Sequence, residues 1–190
     1  QLLKALEIGK SAILKTNKNE ISSMVITGLG GSGIGGTIAI QLVAAQLKIP
    51  VIINNDYTLP EFVNENTLVI VSSFSGNTEE TLEALKKAQL AKAEIACITS
   101  GGKLAEIAKT KNYNLIILPK AFSPRAMLTY SVVQQLFLFN HYGLINDSFI
   151  NEFVSTVSLL DKEIDNIKDL AHQTSLLLHT KTFVLYSESS

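Results

Sequence analysis

Charge is scarce in this sequence. Asp, Glu, Lys and Arg make up 17% of the 190 residues, where about 25% is usual, and they nearly cancel to a net charge of -1. That balance supplies no basic surface for nucleic acid and no cationic face for an acidic membrane, so neither partner is expected. Any anion must be held by local geometry. Cysteine is almost missing too. The single Cys97 excludes an internal disulfide, and its setting in the apolar stretch 94–99 makes it a small core residue. No Cys/His cluster has zinc spacing. The composition fits a reducing, cytoplasmic location. Every apolar run falls short of the roughly 20 residues that a spanning helix needs. Low-complexity segments and long Pro/Gly linkers are absent as well. What remains is a chain long enough for one domain and a piece of a second.

Apolar residues are plentiful, at 46%, as a sheet buried on both faces requires. Short β-branched runs at 23–27, 51–54, 68–72, 95–99 and 115–118 read as strands. Longer segments at 35–48, 79–93, 104–110 and 124–142 read as helices. Strand–helix alternation at this spacing predicts an α/β fold: a doubly wound, five-stranded parallel sheet of the flavodoxin-like kind. A long helix is expected over 147–178, because Phe149, Phe153, Val157, Leu160, Ile164 and Ile167 recur at three- and four-residue steps, as one buried stripe requires. A further strand at 182–186 runs into small residues and repeats the plan of 22–32. The expected organisation is a first domain over 1–146, a helical connection over 147–181, and the opening of a second, truncated α/β unit over 182–190.

Two loops carry the chemistry. The first, from Gly28 to Gly36, leaves a strand and enters a helix with six glycines in nine residues. Glycine lets backbone approach a ligand, and free N–H groups at a helix start favour an anion. It matches G-x-G-x-x-G from Gly28 and again from Gly31, a pattern that also suits a dinucleotide with Asp56 as a ribose ligand. A tight, packing-driven turn is the plain alternative. The second loop, Ser73-Phe74-Ser75-Gly76-Asn77-Thr78, offers three hydroxyls at a helix start. A phosphate has three oxygens, each accepting several hydrogen bonds, and hydroxyls with amides meet that demand without a metal. Asn77 with Glu80 three residues on is alternatively an ordinary capping pair. Glu79 and Glu80 would repel a phosphate unless they point away.

These loops resemble the signature loops of the sugar isomerase (SIS) domain family. Two more stretches, Ile98-Thr99-Ser100-Gly101-Gly102-Lys103-Leu104 and Ser123-Pro124-Arg125-Ala126-Met127-Leu128, narrow the resemblance to the bifunctional phosphoglucose/phosphomannose isomerases. The set of four is far more specific than any one loop. The resemblance implies that Ser32, Ser73, Ser75 and Thr78 hold a sugar phosphate and that Gly31 lies against the ligand. It implies that Arg125 faces the reacting carbons and steadies an enediolate. It implies a hexose 6-phosphate substrate, two SIS units per chain, a homodimer, and neither metal nor other cofactor.

Arg125 also stands out by itself, as the only arginine, placed beyond the fifth strand on the edge shared by the loops. Lys103 reads as a surface lysine, and His141, His172 and His179 as packing or surface residues. Isomerisation needs a base to carry a proton between C1 and C2. The resembling enzymes use a glutamate in an Asn-Glu-Asn stretch of the second unit and a histidine from across the dimer, and neither has a matching position here. Asn64-Glu65-Asn66 has the right letters at the wrong, amino edge of the sheet, and Glu188 follows the wrong strand. The expected function is an aldose–ketose isomerase of hexose 6-phosphates, with a phosphosugar-sensing module and a dinucleotide-dependent oxidoreductase as alternatives.

Overall fold

The computed structural model describes residues 1–16, 19–120 and 124–184, leaving aside the side chains of Pro124 and Arg125. The β-branched runs form five strands: β1 (Ser23–Thr27), β2 (Val51–Asn54), β3 (Thr67–Ser72), β4 (Glu94–Thr99) and β5 (Asn114–Ile117). They lie in the order β2-β1-β3-β4-β5, and every pairing is parallel. The helices are α1 (Leu2–Ser11), α2 (Gly31–Val43), α3 (Glu79–Leu90), α4 (Gly102–Lys111), α5 (Leu128–His141) and α6 (Ser148–Leu178).

Successive strand residues point to opposite faces, and this divides the core in two. Met24, Ile26, Leu68, Ile70, Ala96 and Ile98 pack with residues of α1, α2 and α5. Val25, Val69, Val71, Ile95 and Cys97 pack with Leu85 and Ala88 of α3 and with Leu104 and Ala108 of α4. The chain leaving β1 therefore turns to one face, and the chain leaving the adjacent β3 turns to the other. A crevice opens between them at the carboxyl edge, where the winding reverses.

Several elements depart from the sequence expectation. Helix α2 begins at Gly31 rather than 35 and ends at Val43 rather than 48. Glycine is a poor helix former by about 1 kcal/mol per residue, but close packing overrides propensity here. A Cβ on Gly36 would stand 3.0 Å from both Ile26 Cγ2 and Ile53 Cδ1, and one on Gly35 would collide with Ser131 Oγ. Helix α1 was not among the expected elements. It lies on α5, where Gly9 meets the Phe137 ring and Gln134 Nε2 donates to Ala5 O at 2.8 Å. The segment expected as one helix from 124 divides into a 3-10 helix (Pro124–Met127) and α5.

The expected stripe on α6 is buried only near its start. Phe149 is buried and meets Phe137 edge-to-face at 5.2 Å, and Phe153 follows against Phe149. Farther on, Leu160, Ile164 and Ile167 are exposed. At 31 residues, α6 is about 46 Å long, well beyond the reach of the shorter α1 and α5. Residues 182–184 have no regular structure, and the rest of the strand expected at 182–186, with Glu188, lies outside the described residues.

Candidate functional site

The loop after β3 is wired from within. Ser73 is 3% exposed, and its Oγ accepts the Gly76 amide at 3.1 Å and lies 2.9 Å from Thr78 Oγ1. With Ser73 as donor to Thr78, the Thr78 proton is left free to point outward. Ser75 Oγ accepts the Asn77 amide at 3.2 Å, and its own proton is likewise free. Gly76 has φ of +70°, and a Cβ there would strike Gly101 O, so this turn requires glycine.

The alternative reading of Asn77 and Glu80 as a capping pair does not hold among the described residues. Thr78, not Asn77, is the residue that begins α3, and no side chain caps the helix. The Asn77 side chain is turned instead to the next loop: its Oδ1 accepts the Lys103 amide at 3.1 Å, and its Nδ2 donates to Ser75 O. The stretch 98–104 braces the Ser/Thr loop from behind. Ser100 Oγ and N both donate to Phe74 O, at 2.7 and 2.9 Å, and Leu104 N donates to Gly76 O.

The glycine loop supplies the facing wall. Four of its glycines answer to packing: Gly28 lies 2.7 Å (as a Cβ) from Ser72 O, Gly33 lies 2.6 Å from Gly28 O, and Gly35 and Gly36 pack as described above. Ligand approach therefore does not account for most of the loop. Gly30, with φ of +53° and open space beside it, begins α2, which also has no side-chain cap.

A cavity of about 170 Å³ lies between the two loops. Gly31, Ser32, Ser75 and Thr78 line it, as their sequence positions suggest; Leu29, Phe74, Leu118, Met127, Leu128 and Ser131 complete it. These six were not foreseen as lining, because nothing local marks an apolar wall or the sixth position beyond Arg125. Ser73 is beneath the wall rather than on it. Arg125 lies in the 3-10 helix two residues before lining residue Met127, and its side chain is outside the described residues, as is Ser123.

Glu79 and Glu80 do not line the cavity. Both carboxylates act on Tyr57 instead: the pKa of its hydroxyl is raised by desolvation first and then by the charges of Glu80 and Glu79. Asp56 is held in a turn, its Oδ1 accepting the Tyr57 amide at 2.6 Å, and does not line the cavity either. Lys103 is exposed. His141 meets Lys15 O at 2.7 Å, and His172 and His179 are exposed. Asn64–Glu65–Asn66 forms a turn before β3, with Asn66 N donating to Asn64 Oδ1, at the amino edge and far from the cavity's edge of the sheet. Among the described residues no three His, Cys, Asp or Glu side chains gather as metal ligands would. None of the described helices is long and apolar enough to cross a membrane.

Residues 18–144 match the SIS domain. The chain belongs to the SIS domain family. It is 44% identical, over its whole length, to a bifunctional phosphoglucose/phosphomannose isomerase of Caldicellulosiruptor bescii, of which the match covers 58%. It is 43% identical over 104 residues to a D-glucosamine-6-phosphate 4-epimerase of Sulfolobus acidocaldarius, covering 54% of this chain and 32% of that protein. The SIS chain thus spans little more than half the length of the first of these relatives. A crystal structure of a candidate phosphosugar isomerase from Clostridium difficile 630 shares the fold, with a TM-score of 0.70 at 19% identity over 94% of this chain and 54% of that one.

Proposed function

We propose that this SIS chain is the phosphate-binding part of an aldose–ketose isomerase acting on hexose 6-phosphates, converting glucose or mannose 6-phosphate to fructose 6-phosphate. The observation that carries the reading is the cavity at the winding reversal, walled by Gly31, Ser32, Ser75 and Thr78. Two uncapped helices begin at this wall. Ser75 accepts its inner bond and keeps a proton for an anion, and Thr78 does the same when Ser73 is the donor between them. Ser73 contributes by setting Thr78. The names of the relatives agree with this substrate class.

In the proposed reaction a base takes the C2 proton of the open-chain aldose and returns it to C1, while a proton passes from O2 to O1. The intermediate is an enediol, reached through an enediolate whose negative charge Arg125 steadies. The described cavity lining holds no carboxylate or imidazole. The base is accordingly assigned to a second SIS unit, beginning at 182 after the helical connection 147–181, in a homodimer. That same lining favours a second reading, a phosphosugar-sensing SIS module without catalysis.

Calorimetric titration with fructose 6-phosphate, and separately with NADH, tests the proposal. Fructose 6-phosphate binds, and Ser75→Ala with Thr78→Ala weakens it by at least about tenfold, as loss of bonds to a charged group requires. NADH binding without a sugar-phosphate response overturns the phosphate reading. A coupled isomerase assay on a chain extended through the second unit separates enzyme from sensor: turnover supports the first, binding alone the second.

A further inference from the structure

The seam between α2 and α5 carries two polar side chains where apolar ones would pack. Ser131 is 6% exposed and lines the cavity. Gln135, one turn on, is fully buried, and its Nε2 donates to Ser131 Oγ at 3.4 Å. Among the described residues, buried Gln135 Oε1 has no partner. Room for both groups exists because α2 has glycine at 35 and 36: a Cβ on Gly35 would collide with Ser131 Oγ, and one on Gly36 would stand 3.2 Å from Gln135 Oε1. A buried acceptor left unmet is destabilising. An apolar pair here would fold better, so stability does not explain the arrangement.

Ser131 is the one polar side chain on the described wall built from Leu118, Met127, Leu128 and Ser131. It shares the cavity with Ser75 and Thr78 of the Ser/Thr loop. With the amide nitrogen of Gln135 toward it, Ser131 keeps its proton to donate into the cavity. With the amide reversed, its proton goes to Gln135 and it keeps a lone pair to accept. A sugar hydroxyl answers both states, whereas a phosphate oxygen answers only the first.

We infer that Ser131 is a specificity-determining residue that hydrogen-bonds a hydroxyl of the sugar, and that Gln135 is the positioning residue that presents it. The inference rests on the phosphate-binding reading above. Inorganic phosphate and fructose 6-phosphate are titrated separately into the wild-type chain, Ser131→Ala and Gln135→Met, with affinities read from amide NMR shifts at Gly31 and Thr78. Urea unfolding is measured in parallel.

Ser131→Ala weakens fructose 6-phosphate about five- to tenfold, the value of one neutral hydrogen bond, and leaves phosphate affinity unchanged. Gln135→Met weakens the sugar phosphate by about threefold or more, while stability is retained or raised because the unmet carbonyl is gone. A purely structural role predicts the reverse pattern, lower stability with both ligands affected alike. Unchanged fructose 6-phosphate affinity in Ser131→Ala, with wild-type binding intact, overturns the inference and spares the phosphate reading. Wild-type binding of neither ligand overturns both.

Discussion

Ser73 and Ser75 are the same residue type, two positions apart, in different circumstances. Ser73 is buried and bonded to Gly76 and Thr78, whereas Ser75 is exposed at the cavity. Ser73→Ala removes the side-chain bonds to Gly76 and Thr78 while the Gly76 amide keeps Ser73 O as acceptor, and costs about 1–1.5 kcal/mol. Ser75→Ala changes stability by less than about 0.5 kcal/mol, as surface substitutions do. Urea unfolding of the two variants checks the contrast; equal losses would mean that the loop is not organised around Ser73.

Helix α6 is two different objects along its length. Phe149 is 3% exposed, in an aromatic cluster with Phe137 and Phe153, while Leu170 is 63% exposed. Phe149→Ala costs about 3–5 kcal/mol through the cavity it leaves. Leu170→Ala stays within about 0.5 kcal/mol, because it removes little buried area. Hydrogen exchange follows the same division, slow through Phe153 and fast beyond Ile164. A large loss at Leu170 would show that something covers the distal face in solution. The heptad-like pattern was legible in the sequence, but a pattern reports which residues share a face. It does not report whether anything in the chain is long enough to meet it.

For the molecule as a whole, Cys97 links the core to pH. It lies in the α3–α4 core, and burial pushes its thiol up to about 12 from an ordinary value near 8.5. Below the ordinary value the thiol is protonated in both states and its contribution is fully present. Above it the unfolded chain loses the proton first, so stability falls, by at most about 1.4 kcal/mol per pH unit, until the folded thiol itself titrates. Unfolding free energies measured between pH 9 and 10 are therefore steeper for the wild type than for Cys97→Ala. Equal slopes would mean that the thiol is solvated. Above pH 10 burial of the Tyr142 hydroxyl adds a loss of the same sign.

Local pattern by itself determined the parallel sheet and the place of both loops at its carboxyl edge, because β-branched runs, glycine clusters and helix-start hydroxyls are short-range signals. Composition likewise set the expectation of no charge-driven partner, since net charge needs no fold. Three matters waited for tertiary structure. The glycines of α2 divide between packing and ligand approach only when Ile26, Ile53 and Ser131 are set against them. Thr78 rather than Asn77 begins α3 because Asn77 is bonded to a loop 26 residues away. Ser131 and Gln135 acquire meaning only from α2, about a hundred residues earlier. Each depends on which faces of distant elements meet, and that is set by the packing of the whole core rather than by any window of sequence.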